Sequence, residues 1–232
     1  MRVSIIGAGR LGRTLAASLP GSTLCRRGEA IPVAEVYWLA VRDADIPLVR
    51  LPPGGVALHS SGALGPEAMA GPRERGVLHP LMTFPGPELG PPRREVYARV
   101  EGSPRAMAAA EALAAELGWQ SFRFDGDRVR YHAAAVMVSG LAGSLFCAAA
   151  EELAAAGGMS AGEARRLLYP LAAESLQRAA EGGPAVLTGP AARGDVATID
   201  EHVKTIGSDQ RAAYEVLSAL MLRMRRNRES PA

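Results

Sequence analysis

The chain has 232 residues, 48% apolar and 22% charged, a length that suits one large domain or two modest ones. Its 26 basic and 24 acidic residues leave a net charge of +2, so it lacks the electrostatic footprint of a nucleic-acid binder. Cys25 and Cys147, the only cysteines, lie far apart in apolar stretches, which argues against a disulfide framework and against a zinc site.

The opening residues Arg-Val-Ser-Ile-Ile (2–6) read as a short buried strand, and Gly7 to Gly12 turn it into a helix that runs to about Leu19. With no charged leader ahead of that strand, the reading expects no signal peptide and a cytoplasmic protein. Further short strands are expected at 22–25, 36–41, 55–59, 76–79, 96–100 and 121–125, with a helix from Pro104 to Leu117 opened by Ser103. Short apolar runs bounded by Gly and Pro predict a parallel sheet covered on both faces. The second and third strands stand so close in sequence that a loop through Ile31 and Pro32 must replace the usual crossover helix.

Past Asp125 the pattern becomes helical: 131–156, 160–181, 195–206 and 209–226, broken at Gly157-Gly158, Gly182-Gly183-Pro184 and Gly207-Ser208. The predicted fold class is therefore α/β, a Rossmann-like domain at 1–127 followed by an all-helical domain at 128–232. Ala133 to Ala150 carries no charge and reaches the lower edge of membrane-spanning length. Its Ala, Gly and Ser content favours a central helix buried on all sides, in a protein that does not engage a membrane. Cover for that helix, and for the small-residue face of Ala135, Ser139 and Gly143, predicts a homodimer formed through the helical domain.

Gly7-Ala8-Gly9-Arg10-Leu11-Gly12 is a G-x-G-x-x-G placed after a strand and opening a helix. In that place Gly7 permits a tight turn, Gly9 lets backbone approach a pyrophosphate, and Gly12 allows close helix–strand packing. The free N–H groups and positive end of the helix dipole then attract phosphate. Where an NAD site carries an acidic residue, this chain has Cys25-Arg26-Arg27. Two guanidinium groups suit the 2′-phosphate of NADP, which is the cofactor expected here. Val41, at the end of the third strand, should line the same crevice.

Ligands in such sheets bind beyond the carboxyl ends of the strands. His59-Ser60-Ser61-Gly62 and His79-Pro80-Leu81 end there, so His79 with Ser60 or Ser61 is a candidate acid–base centre. His132 opens the long helix beside Tyr131 and could assist. Each of these residues also has a plain reading as a hydrogen-bonded loop or helix-start residue. Lys204 is the sole lysine and Asn227 the sole asparagine, so a Lys/Asn mechanism has little to draw on. In Leu187-Thr188-Gly189-Pro190 through Arg193-Gly194-Asp195, Asp195 reads as a helix N-cap and Gly189-Pro190 as a turn.

Taken together, Ile6–Gly12, Val41-Arg42-Asp43-Ala44-Asp45-Ile46, His59–Leu64, Leu78-His79-Pro80-Leu81, Tyr131–Ala135 and Leu187–Asp195 resemble a bacterial family of unknown function. That family joins a Rossmann-like NADP-binding domain to a C-terminal helical domain. More distantly the layout is similar to the 6-phosphogluconate dehydrogenase superfamily, including pyrroline-5-carboxylate reductases and deazaflavin-dependent NADP oxidoreductases. The His79-Pro80 step is similar to prephenate dehydrogenases. The chain departs from the hydroxyacid relatives, which carry Lys and Asn on the long helix, because its own stretch reads Val138-Ser139-Gly140-Leu141. The resemblance implies an NADP(H)-dependent oxidoreductase acting on a small carbonyl, imine or hydroxyacid, with no metal. A dinucleotide-binding sensor or scaffold without turnover is the alternative.

Overall fold

In the computed structural model, which describes residues 1–71 and 74–229, the chain divides into two compact units, Met1–Ser139 and Gly140–Ala232. The division falls later than the boundary read from the sequence, because the helix that starts at Arg128 keeps its first turns with the sheet unit.

The first unit holds β1 (Val3–Ile6), α1 (Arg10–Ser18), β2 (Thr23–Cys25), β3 (Val36–Leu39), β4 (Val56–His59), β5 (Arg75–Pro80), β6 (Tyr97–Gly102), α2 (Pro104–Glu116), β7 (Gln120–Phe122) and α3 (Arg128–Val136). The strands form one sheet in the order β2-β1-β3-β4-β5-β6-β7. Strand order reverses at β1, so a crevice opens between the ends of β1 and β3, where such sheets bind ligands. All pairings are parallel except β5 with β6, whose register sets His79 opposite Arg99. The sheet expected to be wholly parallel is thus mixed. The connection from β5 to β6 returns on the same edge without a crossover helix, and that forces the strand to reverse.

Alternating residues face opposite sides of the sheet. Ile5, Val36, Trp38, Leu58, Leu78, Ala98 and Val100 pack with Leu15 of α1 and Ala106, Ala110 and Leu113 of α2. On the other face Ile6, Tyr37, Leu39 and Ala57 are covered by Ile46 and Met69, in loops with short 3-10 turns at Asp43–Leu48 and Pro66–Ala68. The β2–β3 connection is a loop, as expected. It is held down where Ser4 Oγ donates to the carbonyl of Pro32 at 3.2 Å and Ala34 N–H donates to Tyr37 Oη at 3.2 Å. Ser103 caps α2 by accepting from Ala106 N–H at 3.3 Å, with Pro104 in the first turn. Asp127 caps α3 by accepting from the N–H groups of Val129 and Arg130 at 2.9 and 3.1 Å, so the helix starts earlier than the apolar pattern suggested.

The second unit is helical: α4 (Ala142–Gly157), α5 (Ala161–Gly182), α6 (Pro190–Arg193), α7 (Val196–Thr205) and α8 (Ser208–Glu229). Gly158 ends α4 at φ +64°, and a capping box between Ser160 and Glu163 starts α5. Asp195 caps α7 by accepting from Thr198 N–H at 3.1 Å, the role read from the sequence. α4 packs on α5, and α8 on α6 and α7.

Arg128–Gly157 is a helical stretch long and apolar enough to cross a membrane by length and composition, and a π turn at Met137–Leu141 interrupts it. Only 6% of its most apolar window is buried. This corrects the expectation of a helix buried on all sides: Val136, Met137, Val138, Leu141 and Leu145 are exposed among the described residues.

Candidate functional site

β1 ends at Ile6, and Gly7 turns the chain at φ +110°. A Cβ on Gly7 would stand 2.5 Å from the Ala40 carbonyl and 2.9 Å from Val41 Cγ1, and one on Gly12 would collide with the Gly7 carbonyl. Both glycines are therefore demanded by close approach, and Val41 Cγ1 stands against the space that a Gly7 side chain would fill. A Cβ on Gly9 would meet nothing within 4 Å, so that position faces open space. Gly9 caps α1 without a side-chain bond, and no acidic residue sits in the first turn. The N–H groups of Arg10, Leu11 and Gly12 are left without helix partners by geometry. A bare, positively polarised helix start behind an open glycine, with Ala8 between, fits a pyrophosphate.

Arg26 and Arg27 follow β2. The Arg26 N–H donates to Glu29 Oε2 at 2.7 Å, and its guanidinium lies 3.7 Å from Glu29. Arg27 lies 3.5 Å from Asp45, which also takes two bonds from Arg42 at 2.9 and 3.3 Å. Arg42, the strongest of these partners, holds the Asp45 carboxyl below its usual range, with Arg27 adding to it. Arg27 thus reaches from the β2 side of the crevice to the β3 side. All three guanidinium groups are well exposed, so these ion pairs are weak and yield readily to a phosphate.

At the ends of β4 and β5 the sequence-predicted residues divide into two kinds. His59, fully buried, donates from Nε2 to the Gly65 carbonyl at 2.9 Å and accepts from Ser61 N–H at 3.1 Å. Burial keeps it neutral by lowering its pKa. Ser61 Oγ accepts from Ala63 and Leu64 N–H at 3.3 and 3.0 Å and donates to Asp43 at 2.9 Å. With its bonding directions used by Asp43, Ala63 and Leu64, Ser61 shapes the 59–65 loop. Ser60 Oγ accepts from Trp38 Nε1 at 2.8 Å and keeps its proton to donate.

His79 is half-buried, and its Nδ1 lies 2.8 Å from Tyr131 Oη. The ring of His132 stands edge-on to it at 6.1 Å between centroids. Gly62 separates the two: a Cβ there would lie 2.9 Å from His79 Nε2 and 2.6 Å from His132 Cδ2. Burial, with Arg99, His132 and His59 adding repulsion, pushes the His79 pKa down to about 4. His79 and His132 are therefore brought together across Gly62, whereas the Ser60 hydroxyl is bonded to Trp38, on the sheet face that α1 and α2 cover.

Sequence reasoning missed Arg99 and the role of Tyr131. Arg99 is fully buried on β6, its Cζ 5.2 Å from the Tyr131 ring centroid. It donates to Glu101 at 2.6 Å and, over longer distances of 3.4 to 3.5 Å, to the carbonyls of Ser61, Gly62 and Leu64. Its Nε is buried without a partner among the described residues. Glu101 also takes Arg128, which reaches Glu67 at 3.3 Å and so clips the start of α3 to the sheet. Phe124 and Phe122 wall Tyr131 at 5.1 and 6.4 Å, and burial pushes its hydroxyl up to about 12 against the pull of Arg99. The available signal was the alternation Tyr97-Arg99-Glu101 opposite Ala98-Val100, which places Arg99 on a sheet face but does not reveal that this face is covered.

Residues 96–221 match a family profile described as a domain of unknown function, DUF2520. Arg99, Glu101, Arg128, Tyr131 and His132 all lie within that match. No curated protein matches the chain. Among solved structures, BF3122 from Bacteroides fragilis, a candidate NADP oxidoreductase, aligns at TM-score 0.79 and 22% identity over 96% of this chain and 98% of its own. The 1-pyrroline-5-carboxylate reductase of Streptococcus pyogenes aligns at 0.59 and 13% over 96% and 98%. A reductive aminase from Aspergillus terreus, in complex with NADPH and ethyl levulinate, aligns at 0.63 and 16% over 97% and 94%. These likenesses establish the Rossmann-like fold with its helical C-terminal part.

Proposed function

The chain belongs to the DUF2520 family, and on that footing we propose that it is an NADP(H)-dependent oxidoreductase moving hydride to or from a small carbonyl, imine or hydroxyacid. The observation that carries the reading is the glycine cradle at the switch point, with His79 near the end of β5 and His132 of α3 beside it. Similar folds in reductases, one of them in complex with NADPH, support it. A bound nicotinamide would supply the hydride chemistry; the protein contributes positioning and electrostatics.

Gly7, Ala8, Gly9 and the N–H groups of Arg10, Leu11 and Gly12 hold the pyrophosphate, and Val41 backs the loop. Arg26 and Arg27 take the 2′-phosphate, Arg27 releasing Asp45 to do so. His79 meets the reacting oxygen or nitrogen of the substrate, with His132 as a further donor. The test is to follow NADPH absorbance with a panel of ketones, 2-oxoacids and cyclic imines, using the wild type and His79→Ala. Substrate-dependent oxidation that falls by about 100-fold or more in the variant supports the reading. Oxidation left intact by His79→Ala removes His79 from the reaction, and NADPH binding without oxidation by any of them favours the sensor alternative.

A further inference from the structure

Resting on the reading of His79 as the residue that meets substrate, we propose that Tyr131 is its positioning residue and proton reserve, which suits the site to a carbonyl–alcohol pair. The starting point is the 2.8 Å bond between Tyr131 Oη and His79 Nδ1. It has two polarities. Either Tyr131 donates and His79 carries its proton on Nε2, or Nδ1–H donates and Nε2 is bare.

The surroundings select the first. Arg99 lies against the Tyr131 ring and can only donate, so it draws negative charge toward the phenol oxygen, although burial, the larger effect, pushes the hydroxyl up to about 12. Its own charge is under-compensated: Glu101 is shared with Arg128, and Arg99 Nε has no partner among the described residues. The groups facing His79 are Tyr131 and His132 of α3, Arg99 of β6 and His59 of β4. Burial above all, with Arg99, His132 and His59 adding to it, opposes an imidazolium and leaves His79 neutral. Its Nε2 has no hydrogen-bond partner among the described residues, and the missing side chain of Gly62 leaves it uncovered.

A chemical consequence follows. As a carbonyl carbon gains the hydride that a reduced nicotinamide would supply, the C=O π pair moves to oxygen, which takes the proton from His79 Nε2. The N–H bonding pair stays on the ring, and Nδ1 takes the Tyr131 proton. The products are an alcohol, neutral His79 carrying its proton on Nδ1, and a Tyr131 phenolate beside Arg99. A solvent proton returning to Nε2, with Nδ1–H passing back to the phenolate, resets the pair. A neutral imidazole backed by a weakly acidic phenol can protonate a strongly basic nascent alkoxide. An imine takes its proton from solvent before hydride arrives and has no use for this relay. The site is therefore matched to carbonyl oxygen.

The test reads the tautomer directly. The whole protein, labelled with ring-15N histidine, is examined by NMR at neutral pH, with His79 assigned through His79→Gln. We expect a protonated Nε2 and an unprotonated Nδ1, and a shift toward a tautomer mixture in Tyr131→Phe. The His59 signal, fixed by Gly65 and Ser61, serves as the internal control for folding. His79 protonated on Nδ1 in the wild type overturns the proposal while leaving NADPH binding, measured separately, untouched. Where a ketone is turned over, Tyr131→Phe should lower kcat by about 100-fold with KM and NADPH affinity unchanged. Full turnover in that variant, or a preference for imines over ketones, also overturns it.

Discussion

At Gly62 the absence of a single carbon sets the spacing of two imidazoles. An added methyl would press on His132 Cδ2 at 2.6 Å and His79 Nε2 at 2.9 Å, and both rings are held, one by Tyr131 and one by α3. Gly62→Ala should therefore cost about 1–3 kcal/mol by overpacking and should lower turnover with NADPH affinity unchanged. Thermal unfolding and kinetics check this; wild-type stability and rate would show that the rings give way freely. The sequence marked His59-Ser60-Ser61-Gly62 as one chemical group, but its members do different work. Ser61 and Ser60 differ only in what the fold places beside them, Asp43 and two N–H groups for one and the Trp38 indole for the other. Neither Asp43 nor Trp38 is visible in local sequence, because both come from segments brought in by β3.

At the scale of elements, β4 ends in His59 and β5 carries His79 one residue before its end, and the pKa values of both are lowered. The folded His79 titrates at about 4 and the unfolded ring at its ordinary 6.5, so between these values the unfolded chain binds protons that the folded chain refuses. Stability is fully present above the unfolded value and is lost as pH falls through this window. Chemical denaturation at about pH 5 should give a stability about 2 kcal/mol lower than at about pH 7.5 from His79 alone, and His79→Gln should flatten the difference. Equal stability at both pH values in the wild type would mean that the ring protonates freely. The strands themselves were legible, since apolar runs between Gly and Pro leave little choice. Their direction was not: the antiparallel β6 is decided by how the β5–β6 connection returns, and with it the burial of Arg99 under Tyr131. The start of α3 was also read late, because Asp127 and Arg128 act through a cap and an ion-pair clip rather than through apolar periodicity.

For the whole molecule, the order of a glycine-loop sheet unit followed by helices could be read from the chain, since the G-x-G-x-x-G sits between a strand and a helix and the later segments lack strand patterning. The exposure of the 133–150 helix could not, because apolar composition alone does not say whether cover comes from the same chain. The central claim is that the first unit holds NADP(H), through Gly7–Gly12 and the pair Arg26 and Arg27. Calorimetric titration of the wild type with NADPH and with NADH, repeated on the double variant Arg26→Ala/Arg27→Ala, tests it most directly. The account predicts NADPH binding at least about tenfold tighter than NADH, a preference worth about 1.4 kcal/mol that the double variant loses. Equal affinity for the two cofactors in the wild type, or no binding of either, would contradict it.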